Sequence, residues 1–399
     1  MFRLTNAMRS MTALACIAGL SNVNPALAES DIVVGFAVSK SGWMQAYSVP
    51  PMIAAKIKID EINAAGGLLG RKIRIVESDV KTDQIQGTKA AQDVISKGAD
   101  LVVVDCDFDM GGPAALKAQA AGKISFFLCA GDPKAGVDGI GNFSFSGGDA
   151  APLGGIALAT WGYEKKGYRK AYVLTDDTIA YSKSECGGFK HEWPLQDGAK
   201  IVGTDTFQNG DPSIAVQIGR IKALSEKPDV IAICTYTPGG ASVVRQLRAA
   251  GIDTPIVSGV AMDGTYWLSA APNLSNMCVS AFGSIYGDVP DPSLTTFLAK
   301  YKAAAGADPA TAYPLTGYAM IELWAKAVER AKTTDTKPVV AELEKMNDEP
   351  TIMGPRGFSP ALHIQAKARF AMICIDKGQA KFDGYWTAGP AEKTVLMQN

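Results

Sequence analysis

Short β-forming apolar runs alternate with amphipathic helical runs along most of this chain, and that alternation constrains the fold more than any other feature. Residues 32–37 (IVVGFA) are apolar almost without interruption, as expected of a strand covered by helices on both faces. A loop of small and polar residues follows at 39–43. Next comes a helix whose entry is marked by Ser48 and Pro50-Pro51 and whose end is marked by Gly66-Gly67. The same rhythm predicts strands at 72–77, 101–104 and 124–128, with helices at 84–97 and from Gly111-Gly112-Pro113 onward. It restarts after Gly147-Gly148. Helices at 153–163, 185–196, 214–224 and 240–250 interleave there with strands at 171–174, 200–207, 230–233 and 255–258. Two α/β halves, each built on a parallel sheet, account for the chain up to residue 283.

The remainder predicts helices at 292–305, 319–332 and 337–345 and a β pair at 369–375 and 381–387. Helices without a sheet of their own must dock on one made earlier, and the closing strands extend the sheet of the second half. The chain therefore crosses between its halves more than once, which makes a hinged pair of lobes.

Residues 1–28 read as an export signal. Arg3 and Arg9 precede an apolar stretch at 11–20, and Ala26-Leu27-Ala28 places cleavage after Ala28. The stretch is too short to span a bilayer. With 39 basic against 40 acidic residues, the chain has no electrostatic footprint for nucleic acid or an anionic membrane surface.

Only two histidines occur, His191 and His363, which disfavours two-histidine zinc chemistry and histidine-based triads. There is neither a G-x-S-x-G elbow nor a phosphate-binding G-x-x-x-x-G-K-[ST] loop. Asp105, Asp107 and Asp109 lack the glycine and glutamate that complete a calcium loop. The expectation is a protein that is not an enzyme, with no cofactor and no metal. Cys106, Cys129, Cys234, Cys278 and Cys374 lie in or beside strand-like runs and read as buried thiols. A Cys106–Cys129 bridge at neighbouring strand ends is the exception the spacing allows.

Open α/β sheets bind ligands beyond the carboxyl ends of their strands. In the first half those positions hold Trp43, then Cys106, Asp107 and Phe108, then Ala130, Gly131 and Asp132. In the second half they hold Tyr181, Tyr236 and Asp263. Small residues for close approach, aromatic walls and a few carboxylates suit a small-molecule cleft.

The opening strand IVVGFAV, the loop SGWMQAY, the run DEINAAGGLLG, and then ADLVVVDCD, KISFFLCAGDP, LTDDTIAYSKS, DVIAICTYTPGGASVVRQLRAAG and AYPLTGYAMIELWAKAVERA carry a resemblance. In this order and spacing they resemble the periplasmic leucine/isoleucine/valine-binding protein family over roughly residues 30–390. These are the substrate-binding components of branched-chain amino acid ABC transporters.

The resemblance implies a type I bilobal binding protein with three hinge crossings near 146–148, 281–284 and 353–355. Lobe one would comprise 30–147 plus 284–353, and lobe two 148–283 plus 354–399. The lobes would close on a small ligand in the periplasm, and a membrane permease would recognise the closed form. A monomer is expected.

In that family, hydroxyl-bearing residues hold the substrate carboxylate where this chain has Asp107 and Asp132, and an ionised aspartate there would repel it. Either those side chains point away, or the ligand is not a plain α-amino acid held in the usual manner. Tyr181 and Tyr236 match cleft positions of the family, and Asp263 is the carboxylate nearest the usual ammonium partner. The expectation is an amino acid or a related cationic or zwitterionic metabolite. An amide, urea, polyamine or aromatic acid, or a sensing or hydrolytic role on the same scaffold, are the alternatives.

Overall fold

A computed structural model of the chain describes residues 1–2 and 30–398. The export signal and its cleavage site therefore lie outside the described residues. The first sheet contains β1 (Ile32–Val38), β2 (Ile73–Asp79), β3 (Leu101–Val104), β4 (Ile124–Phe127) and β5 (Ser144–Ser146) in the order β2-β1-β3-β4-β5. All its pairings are parallel. The helices α1 (Gln45–Ala64), α2 (Gln84–Ser96) and α3 (Phe108–Ala120) connect its strands. One core lies on each face of this sheet, as the unbroken burial of β1 requires.

After β5 the chain forms α4 (Ala151–Glu164), β6 (Lys170–Asp176), α5 (Ala180–Glu192), β7 (Lys200–Phe207) and α6 (Ala215–Ala223). Then come β8 (Val230–Cys234), α7 (Gly239–Ala249), β9 (Ile256–Ser258) and β10 (Met277–Ala281). The helices α8 (Pro292–Ala305) and α9 (Pro314–Ala331) return to pack on α1, and α10 (Thr336–Leu343) packs on α9. A two-stranded ribbon, β11 (Glu349–Thr351) with β12 (Gly354–Arg356), precedes the closing pair β13 (Ala368–Asp376) and β14 (Gln379–Ala388). A short α11 (Lys393–Leu396) ends the described chain.

β13 joins the second sheet antiparallel to β10, giving the order β14-β13-β10-β9-β8-β6-β7. The last strands thus extend the second sheet, as expected, and the result is two α/β lobes. Among the described residues no helix is long and apolar enough to cross a membrane.

Several elements differ from the sequence reading. The three-residue strands β5, β11 and β12, and β10 with its mixed sequence MCVSA, carry too little pattern to register. Helix α1 begins at Gln45, so Pro50 and Pro51 lie in its interior rather than its first turn. Its early N–H groups bond to the carbonyls of Gly42, Trp43 and Met44, which lets the helix start before the prolines. Helix α3 starts at Phe108 with Asp107 as its cap, ahead of the glycines taken as its opening.

The buried-thiol reading of the cysteines is corrected. All six described cysteines are paired, as Cys106–Cys129, Cys186–Cys234 and Cys278–Cys374. Cys278 and Cys374 are register partners on the adjacent strands β10 and β13, and Cys186 on α5 faces Cys234 at the end of β8. The Cys106–Cys129 pair is the bridge the sequence allowed; the other two are long-range contacts that the apolar setting of each cysteine taken singly did not reveal.

Candidate functional site

Strand order fixes where a ligand can sit. In the first sheet the direction of winding reverses between β1 and β3, and in the second between β6 and β8. The connections leaving such a pair run to opposite faces and open a crevice at the carboxyl ends of the strands. The loop after β1 carries Trp43, and the one after β3 carries Cys106 and Asp107. The loop after β6 leads to Tyr181, and the one after β8 carries Tyr236. All five line one cavity, together with Gly131, and about 530 Å³ of space outside protein atoms belongs to it, part of it open to solvent.

The walls are aromatic. The rings of Trp43 and Tyr236 lie 5.0 Å apart, and Tyr313 stands edge-on to both Tyr47 and Phe282 with centroids 5.4 Å away. Tyr47 also joins the two sides. Its hydroxyl donates to Ala261 O at 3.1 Å, accepts from Thr237 N at 2.9 Å, and shares a 2.7 Å bond with the Thr237 hydroxyl. Asp109 on α3 makes a second bridge, accepting from Ala180 N at 2.8 Å. That bond satisfies one orphan N–H at the start of α5 and places a carboxylate at the positive end of the helix.

The cap supplied by Asp109 comes from 71 residues away, and the local sequence around Ile179 offers none. For this reason the sequence placed the start of α5 at residue 185 rather than 180. The earlier start sets Tyr181 and Glu185 one turn apart on the same face. Both line the cavity, and Glu185, like Tyr47, Asp149, Phe282 and Tyr313, is a wall residue that sequence reasoning missed. The i, i+4 tyrosine–glutamate spacing would have signalled it, had the helix boundary been legible.

Four of the expected positions are not on the cavity wall. Phe108 and Ala130 belong to the core on the other face of the first sheet. The Asp132 carboxylate accepts from Lys134 N at 2.9 Å and from the Ser184 hydroxyl at 2.5 Å. Asp263 accepts from Ala312 N at 2.7 Å and is buried away from the cavity. The three aspartates of the DCDFD run diverge as well. Asp105 binds the Ser39 and Ser48 hydroxyls, Asp107 caps α3, and Asp109 reaches α5.

Burial raises all three carboxyls on the wall, Asp107, Asp149 and Glu185. Burial, with Asp109 and Asp105 nearby, pushes the Asp107 carboxyl up to about 7. Burial pushes Glu185 up to about 8, against the lowering effect of the Tyr181 hydroxyl that donates to Oε1 at 3.0 Å.

Two lobes meeting on an aromatic-walled cavity, with strand-end loops from both sheets supplying its lining, define a protein that holds a small solute. Residues 31–380 match the model of the periplasmic binding protein family, and the chain belongs to that family. It is a periplasmic solute-binding protein and not an enzyme.

Among its relatives is the Leu/Ile/Val-binding protein BraC3 of Rhizobium johnstonii, 27% identical over 335 residues that cover 82% of this chain and 87% of the relative. The Leu/Ile/Val-binding protein of Escherichia coli is 26% identical over 348 residues, covering 85% and 89%. In fold the chain is similar to the branched-chain amino acid transporter substrate-binding protein LivJ of Streptococcus pneumoniae, solved in complex with isoleucine. That likeness has a TM-score of 0.76 at 24% identity and covers 90% of this chain and 99% of LivJ.

Proposed function

We propose that this protein captures a branched-chain or similar amino acid in the periplasm and presents it, by closure of its lobes, to the permease of an ABC transporter. The observation that carries this reading is the cavity at the two switch points, walled by Trp43, Tyr181 and Tyr236 and bridged by Tyr47. The names of the relatives supply the solute class. Closure follows from population arithmetic: only a solute with more contacts in the closed form than in the open one can shift the lobes together.

Trp43, Cys106, Asp107, Gly131, Tyr181 and Tyr236 are the ligand-binding residues in this reading. Lobe one is 30–147 plus 284–353 and lobe two is 148–283 plus 354–399. Packing of Phe358 and His363 on Phe145 of the first sheet supports a third crossing later than 353–355, drawn out through 357–367, with residues before it staying beside lobe one. The mature protein starts at Glu29 and acts as a monomer. Calorimetric titration of ligand-stripped protein with L-leucine, L-isoleucine and L-valine tests the solute class. Saturable 1:1 binding of at least one is expected, and silence with all three rejects it.

A further inference from the structure

We propose that Glu185 receives the positively charged amino group of the bound solute. This inference rests on the reading of the chain as an amino-acid-binding protein and deepens it by naming the charge the site selects and the residue that selects it.

The cavity wall carries three carboxylates, Asp107, Asp149 and Glu185, and among the described residues lining it there is no lysine, arginine or histidine. Two of the three are already engaged. Asp149 is ion-paired with buried Arg356 at 2.8 Å, and Asp107 caps α3 by accepting from Met110 N at 3.0 Å. Asp149 Oδ1 makes no hydrogen bond, but it has the Arg356 cation beside it, and no ion pair of that kind reaches Glu185 among the described residues. Its Oε1 accepts from Tyr181, but its Oε2 is buried and has no hydrogen-bond partner among the described residues, although the residue is only 1% exposed. A buried carboxylate oxygen with no donor is costly and uncommon, and it persists where a partner outside the chain completes it.

The surroundings are fitted to this side chain. A Cβ at Gly259 would stand 1.3 Å from Glu185 Oε1, so only glycine leaves room for the carboxylate there. Aromatic faces on the same wall, those of Tyr181, Tyr236 and Trp43, favour a cation further. Asp263, to which the sequence pointed for this role, gives Oδ2 to Ala312 N; its Oδ1 is also buried without a hydrogen bond, but the residue does not line the cavity, whereas Glu185 does. A solute ammonium has three N–H donors, and one of them meets Oε2 in a charge-assisted hydrogen bond. A solute whose only charge is negative finds no cationic partner.

Three probes that share a branched alkyl skeleton separate the charges: L-leucine, 3-methylbutylamine, which lacks the carboxylate, and 4-methylpentanoate, which lacks the amine. The structure predicts that the ligand-stripped protein binds the first two and not the third. Glu185→Gln should weaken both by roughly 10- to 100-fold while leaving the ligand-free melting temperature at or above that of the wild type. Gly259→Ala, which drives a methyl group into the carboxylate from a different element, should weaken both as well. Retention of affinity within twofold in either variant overturns the role of Glu185 and leaves the solute-binding reading standing. Binding of 4-methylpentanoate without 3-methylbutylamine has the same meaning. Silence of the wild type with all three probes overturns the leucine-type reading, and this inference falls with it.

Discussion

Arg356 and Asp149 form a 2.8 Å ion pair with both side chains buried, and the same guanidinium donates to the carbonyls of Gly147 and Gly148. One residue of the ribbon strand β12 thereby clamps the segment that leads from the first sheet into the second. Burial raises the pKa of Asp149 even beside this cation. Removing one partner of such a pair leaves the other charge uncompensated. Arg356→Ala should therefore lower stability by about 3–5 kcal/mol in urea unfolding, whereas Asp149→Leu with Arg356→Met should cost much less. Equal losses in the two variants would show that packing, not charge, holds the junction.

Tyr181 and Tyr236 are nearly fully buried on the cavity wall, so truncating either removes aromatic surface from the solute. Tyr181→Ala and Tyr236→Ala should each weaken L-leucine binding by about 1–3 kcal/mol with the fold retained, read by calorimetry and circular dichroism. An affinity within twofold of wild type would remove that residue from the site.

Tyr47→Phe deletes one hydroxyl and strips Thr237 N of its acceptor across the cleft. The closed form should lose about 1–2 kcal/mol relative to the open one, and the effect should surface as faster solute dissociation in stopped-flow fluorescence. An unchanged dissociation rate would mean that this bond does not help hold the lobes together.

Burial pushes the carboxyls of Asp105, Asp107, Asp263 and Glu185 up to about 6, 7, 7 and 8. In the unfolded chain they titrate near 4. Each folded value lies above the unfolded one, so the native state holds more protons between them, and the stability this brings is complete below about pH 4 and fades as pH rises toward 8. The ligand-free protein should melt at a lower temperature at pH 8 than at pH 5. Glu185→Gln should flatten the upper part of that slope, since the Glu185 carboxyl, pushed up to about 8, is the highest of the four, and the Tyr181 hydroxyl bonded to it is raised beyond this range. A melting temperature constant across this range would contradict the burial of these groups.

The Cys278–Cys374 bridge closes a separation of 96 residues and ties β10 to β13. Replacing both cysteines by alanine should cost about 2–5 kcal/mol in chemical unfolding, through the freedom regained by the unfolded chain. Alkylation of the unreduced protein should label none of the six described cysteines, and labelling of this pair would show that the bridge does not form.

The fold was legible because its signal is local. Unbroken apolar runs such as Ile32–Val38 announce buried parallel strands, and the glycine and proline positions between them punctuate the chain. The lining of the candidate site was legible only where strand ends dictate it, as at Trp43, Asp107, Tyr181 and Tyr236. Glu185 escaped because its helix is started by Asp109, a residue distant in sequence, and the partners of Asp132 and Asp263 escaped for a similar reason. Disulfide partners on adjacent strands and hydrogen bonds across a cleft are decided by tertiary contact, which no local pattern encodes.

The central claim is that two lobes shut over a solute and that shutting is the protein's work. Small-angle scattering from ligand-stripped protein, with and without saturating L-leucine, tests it most directly. A smaller radius of gyration with solute, returning to the original value on dialysis with the leucine recovered unchanged, is the predicted result. The same radius in both states, for a leucine that calorimetry shows to be bound, would contradict it.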